Sequence, residues 1–140
     1  ISDIDLDLAA RNYASAYEKA QRSLGLFPNQ PSLLQRLTQA ALPLGKADSI
    51  RAELDRAVAM RPNDNGLWRL IADCALKQQD TLGVFRARAE YLFLEGRLKA
   101  AEDQLGNALR VARHYQLVQR SRFLHIGQHH AGIQTVVYQF

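Results

Sequence analysis

The sequence predicts an all-α protein made of antiparallel helix–turn–helix units stacked against one another. Three observations predict it. Ala, Leu, Gln and Arg dominate the 140 residues, and β-branched residues are sparse until the last eight positions. The stretch Arg86 to Arg110, RARAEYLFLEGRLKAAEDQLGNALR, reads as two helices joined at Glu95-Gly96-Arg97. Ala89, Ala101 and Ala108 supply small residues where two helices must touch. Tyr91, Leu92, Leu94, Leu98, Leu105 and Leu109 supply large apolar ones at roughly helical spacing. Gly96 stands where a helix C-terminus favours a left-handed residue without a Cβ. Finally, Phe27-Pro28-Asn29 and Arg61-Pro62-Asn63 lie 34 residues apart, each after one apolar helix and before another.

The elements follow in order. Residues 2–12 suit a short helix with Ser2 or Asp3 as N-cap and Ile4, Leu6 and Leu8 as its apolar positions. Asp3, Asp5 and Asp7 favour its dipole-positive end. Tyr13 to Leu26 form a second helix with Ala16, Ala20 and Leu24 inward. A third begins after Gln30, with Pro31 in the first turn where a missing N–H does no harm, and ends near Pro43. The fourth spans about Ala47 to Met60 through Ile50, Leu54, Ala57 and Val58. Asp64 or Asn65 opens the fifth, which carries Trp68, Ile71, Ala72 and Ala75. Asp80 or Thr81 caps the sixth, and the seventh runs from Leu98 to Ala112. The repeats are expected over residues 1–113. Tyr115 to Ile126 within 114–126 reads as an eighth, capping helix with Leu117, Val118 and Leu124 inward. Residues 127–140 read as a tail ending in the β-prone TVVYQF.

A chain of this length is one domain with room for a core. No apolar run approaches the ~20 residues that span a bilayer. The opening ISDIDLDL, with neither an initiator methionine nor a signal peptide, reads as the middle of a pattern, so the chain is expected to be a piece of something longer. A single cysteine, Cys74, excludes an intrachain disulfide; among Leu70, Ile71 and Ala75 it reads as a buried thiol. The net charge of +4 is uneven. Residues 1–103 carry 14 basic and 14 acidic side chains, whereas residues 104–140 carry Arg110, Arg113, Arg120 and Arg122 and no acid.

Chemistry-bearing patterns are few. His125 and His129 are four apart, a zinc-ligand spacing, but Gly127 falls between them and no cysteine or carboxylate follows Asp103, so no metal or other cofactor is expected. His114 and His130 add no ligand pattern. No nucleophile motif and no glycine-rich phosphate loop is present, and Glu102-Asp103 point different ways from one helix, so catalysis within this chain is not expected. Arg110 and Arg113 share a face, whereas Arg120 and Arg122 do not. Few aromatics (Tyr115, Phe123) accompany them, and this disfavours a nucleic-acid or anionic-surface binder relative to helix-dipole complementation.

The 34-residue helix–turn–helix period is that of the tetratricopeptide repeat, which the sequence resembles. Leu34, Leu37, Ala41, Ile50, Leu54 and Ala57 stand at the family's packing positions behind Pro62. Trp68 stands at the tryptophan position, followed by Ile71, Ala72 and Ala75. Frames counted from Trp68 and from Gly96 lie 17 residues apart, so helix 81–94 closes one repeat and resembles the opening of another. The resemblance implies a right-handed superhelix whose concave face binds a protein or peptide. The family's concave positions fall on Gln35 and Gln39, on Arg69, Asp73 and Lys77, and on Arg86 and Glu90. The lysine–asparagine set that clamps C-terminal carboxylates in chaperone-binding members is missing. Arg69–Asp73 and Arg86–Glu90 also read simply as i,i+4 surface pairs.

A narrower resemblance covers about residues 1–122. Asn65-Gly66-x-Trp68, then Ala87-Arg88-Ala89-Glu90 and Gly96-Arg97-Leu98, is similar to the C-terminal region of the periplasmic beta-barrel assembly-enhancing metalloproteases. From about Phe123 the sequence departs from that family, which continues as a charged helix. The resemblance implies a periplasmic recognition arm of a zinc protease whose catalytic domain lies outside this chain. Its partners would be the outer-membrane barrel-assembly machinery or its substrates. The alternative is a free-standing tetratricopeptide scaffold.

Overall fold

In a computed structural model that describes residues 2–129, with side chains as far as Arg122, the chain forms seven α-helices. They are α1 (Asp3–Ala9), α2 (Tyr13–Leu26), α3 (Pro31–Ala41), α4 (Ala47–Met60), α5 (Asn65–Lys77), α6 (Thr81–Leu94) and α7 (Leu98–His129). None of the described helices is long and apolar enough to cross a membrane.

Local chemistry sets the helix starts. Ser2 caps α1 in a full capping box, its Oγ accepting from the Asp5 N–H at 3.2 Å while the Asp5 carboxylate accepts from Ser2. Asp64 accepts from the Leu67 N–H and Asp80 from the Gly83 N–H, so the acid expected before each helix is its cap. Pro31 opens α3 in the first turn.

The helix ends follow one device. After α1, α3, α5 and α6 the chain makes paired reverse hydrogen bonds around one left-handed residue, the Schellman arrangement. At α6 the Arg97 N–H reaches the Leu92 carbonyl at 2.9 Å and the Gly96 N–H reaches Phe93 at 3.0 Å, with Gly96 at φ 78°. Gly45 does the same after α3 at φ 72°. Arg11 and Gln79 occupy the equivalent positions after α1 and α5, at φ 59° and 58°, although each carries a Cβ.

The helices pair as α1/α2, α3/α4 and α5/α6. Each second helix also packs on the first helix of the next pair, and α1, α3 and α5 touch in succession. Small side chains make these approaches: Ala16, Ala20, Ala40, Ala41 and Ala75 are 0% exposed. Leu34, Ile50, Leu54, Leu67 and Ile71 fill the gaps between them. Thr38, also buried, donates its hydroxyl to the Leu34 carbonyl at 2.8 Å and so leaves no orphaned polar group.

Two expectations need correction. The break after Ala112 is absent: α7 continues for 32 residues to His129, so 114–126 is not a separate helix within the described residues. Arg113 and His114 offer no glycine, proline or left-handed residue to stop a helix that strong formers have begun. Leu117 and Val118, expected inward, are exposed, with none of the other described helices covering them. The inward role given to Leu124 and the β-prone end TVVYQF fall outside the described side chains.

The Gln79→Gly variant is expected to raise stability by about 1 kcal/mol by removing left-handed strain from a Cβ-bearing residue, and Gly96→Ala to lower it by about as much. Urea unfolding of the two single variants against the parent measures both signs.

Candidate functional site

Because α1, α3 and α5 touch in a row while α2 and α4 lie outside them, the face shared by the first helices is the continuous surface of the stack. On α3, Gln35 and Gln39 stand one turn apart and both are exposed. On α5, Asp73 and Lys77 are exposed on the same side, with the exposed Leu76 beside them. Gln35, Gln39, Asp73 and Lys77 make no hydrogen bond or ion pair within the chain among the described residues.

Arg69 is placed differently. Its guanidinium bonds the Glu95 carboxylate and stacks 4.4 Å from the centroid of the Tyr91 ring. Asn65 donates to the same carboxylate at 3.1 Å. Asn65 first, then Arg69, holds the Glu95 carboxyl below the ordinary glutamate range. Arg69 therefore joins α5 to the α6–α7 turn. The i,i+4 pair Arg69–Asp73 does not form, nor does Arg86–Glu90.

Arg86 and Glu90 sit on α6, the second helix of its pair, because the fourth unit opens with α7 and not with α6. Arg86 lines a cleft of about 390 Å³ with Arg51, Asp55, Val58, Trp68 and Ile71, between α4, α5 and α6. The seven residues expected to share one groove thus divide into four free side chains on first helices, one structural arginine and two residues of an outer helix.

Three side chains of this face carried no sequence signal. Arg36 grips Asp5 across from α3 to α1 with two bonds of 2.7 and 3.1 Å. That grip, with the Ser2 contacts, holds the Asp5 carboxyl well below the ordinary value of 3.8. Arg88, on α6, faces Asp73. The Asp73 side chain reaches solvent, yet its desolvation raises its pKa against the pull of Arg88 and Arg69. Leu76 lies exposed on the open side of α5.

Elsewhere, Cys74 is fully buried and its thiol is pushed up to about 11, chiefly by burial, which makes it an inert packing group. The side chains of His125 and His129 lie outside those described.

Stacked antiparallel hairpins with a layer of first helices define the tetratricopeptide class of fold. The tetratricopeptide domain of Sgt2 from Aspergillus fumigatus is similar in structure, with a TM-score of 0.64 and 17% identity, over 81% of this chain and 77% of that one. No protein-family model and no curated protein matches this sequence.

Asp5, Asp7 and Glu95 all have depressed folded pKa values, so their contributions to stability are present above their ordinary values of 3.8 and 4.5 and decline as pH falls below them. The urea midpoint is expected to hold steady down to about pH 5 and to fall towards pH 2. The double variant Asp5→Asn, Asp7→Asn is expected to start lower and to lose less over that interval, as measured by far-ultraviolet circular dichroism.

Proposed function

We propose that this chain is a non-catalytic protein-recognition module that takes an extended polypeptide along the first-helix face of α1, α3 and α5. The observation that carries the reading is the set Gln35, Gln39, Asp73 and Lys77: exposed polar groups on adjacent first helices, without partners among the described residues. Amides that both donate and accept suit the backbone of a bound strand or loop. Asp73 and Lys77 offer one charge of each sign, and the exposed Leu76 beside them gives an apolar contact. The fold shared with the Sgt2 domain supports a scaffold of this kind.

The finer reading rests on Asn65-Gly66-x-Trp68 and the Ala87-to-Leu98 segment. In it the chain is the C-terminal arm of a periplasmic metalloprotease that attends outer-membrane β-barrel proteins. Its partner is then the barrel-assembly machinery or an unfolded barrel chain. The reading frame upstream of Ile1 tests this directly. A His-Glu-x-x-His helix behind a signal peptide supports the protease arm, and a frame of further repeats overturns it in favour of a free-standing scaffold.

Binding tests the face itself. A fluorescently labelled, urea-unfolded outer-membrane barrel protein diluted into the full chain is the probe. Leu76→Ser with Lys77→Glu is expected to weaken binding by about tenfold or more, with helicity unchanged, whereas Arg22→Glu on the outer helix α2 leaves it intact. Equal affinity for the parent and the α5 variant overturns the proposed face.

A further inference from the structure

The seventh helix leaves an apolar stripe open. Leu98, Leu105 and Leu109 follow one another along one side of α7 and are 61%, 51% and 58% exposed. They are not on the side that lies against α6, which carries Ala101, Gln104, Ala108 and Val111. In the earlier units the corresponding side of a first helix is covered by its own second helix. Among the described residues α7 has none, since it runs straight through Arg113 and His114.

Lys99 lies in the first turn of α7, Glu102 and Asp103 follow about one turn later, and Arg110 and Arg113 come about two turns after those, with no acid in the sequence beyond Asp103. At 3.6 residues per turn, Glu102 and Arg113 project within about 20° of each other, on the flank of the leucine stripe away from α6. Asp103 and Arg110 also match each other in direction, but they stand about 120–140° round the helix from the leucine stripe. Asp103 is 3.1 Å from Lys99 on the same helix, whereas Glu102 and Arg113 have no ion-pair partner among the described residues.

We propose that this face of α7 binds a second copy of the same chain, with the two α7 helices antiparallel about a twofold axis level with Asn107. The register that sets Leu105 against Leu109 of the partner subunit brings Glu102 within one residue of the partner's Arg113. The twofold repeats that pair, whereas Asp103 and Arg110 stay outside the contact. A parallel twofold pairing instead sets Glu102 and Arg113 against the opposite flank of the partner helix, which carries alanines (the partner's Ala101, the partner's Ala108 and the partner's Ala112) and no charge. Acid followed by base on one flank of one stripe is self-complementary only in the antiparallel sense, which is what an isologous interface requires. That pattern selects a second copy over an unrelated partner. Four to five helical turns of contact fall short of the ~1,600 Å² of a standard interface, so the dimer is weak, with a Kd of about 10–100 μM.

Sedimentation equilibrium of the full chain, from about 5 to about 300 μM, is expected to show a monomer–dimer equilibrium that added salt weakens. Leu105→Glu with Leu109→Glu is expected to be monomeric with the parent's helicity. Two charge variants make the test specific to this register. Glu102→Arg makes both charges on the flank beside the stripe basic, and Arg113→Glu makes both of them acidic. Each is expected to be monomeric alone and to form a one-to-one dimer when the two are mixed. A parent chain that stays monomeric throughout, as it would if another part of its own chain covered the stripe, overturns the proposal. So does dimerisation that survives in either charge variant alone.

Discussion

Everything in this fold depends on how closely its helices approach at Ala16, Ala20, Ala40, Ala41 and Ala75, none of which retains any exposed surface. A methyl group at a crossing point lets two backbones come near enough for the larger residues on either side to interdigitate. A leucine there would hold the helices apart and open gaps that nothing else fills. One hairpin has apolar residues on two sides and can cover only one of them itself, so each pair needs the next. The order α1 to α6 is therefore a consequence of packing at the crossings, and the row of first helices that forms the open face is a by-product of it.

Polar contacts then set how each unit sits on its neighbour. Arg36 ties α3 to Asp5 on α1, and Arg61, just after α4, donates to the Asn29 carbonyl just after α2. Arg51 on α4 reaches Gln78 and Asp80 in the α5–α6 turn, and Gln78 also donates to Asp48 at 2.7 Å. Trp68 donates its indole N–H to the Pro62 carbonyl at 2.9 Å and so fixes the entry into α5. Exposed ion pairs of this kind add little stability singly. Their sequence separations of about one repeat make them register marks between successive units.

The parts of this structure that were readable in the sequence are those governed by local chemistry. Asp64 and Asp80 as caps, Pro31 in a first turn and Gly96 in the left-handed position all act within four residues of themselves, and each does in the structure what its position implies. The left-handed Arg11 and Gln79 were not readable, because neither residue type signals that conformation and only the packing of the next helix compels it. The open face divides in the same way. Gln35, Gln39, Asp73 and Lys77 could be placed by counting along single helices. Arg69 could not, since Glu95 lies 26 positions away and reaches it only after α6 folds back. Arg86 and Glu90 were assigned from the frame that Gly96 suggested. The actual frame depends on which helix opens the fourth unit, a tertiary fact.

The end of a one-dimensional stack is where its packing rule has no neighbour to act on. At the N-terminal end the problem is small: α1 has seven residues, buries only Ile4 and presents Asp3, Asp5 and Asp7 to solvent or to basic partners. At the other end α7 has 32 residues and continues past the last helix that supports it. Over its first half the side opposite solvent is satisfied by α6, while Leu98, Leu105 and Leu109 keep the apolar character of an interior position. Retained leucines, flanked by Glu102 and then by Arg113 in an order that complements itself only when reversed, are what the proposed pairing of two copies would use.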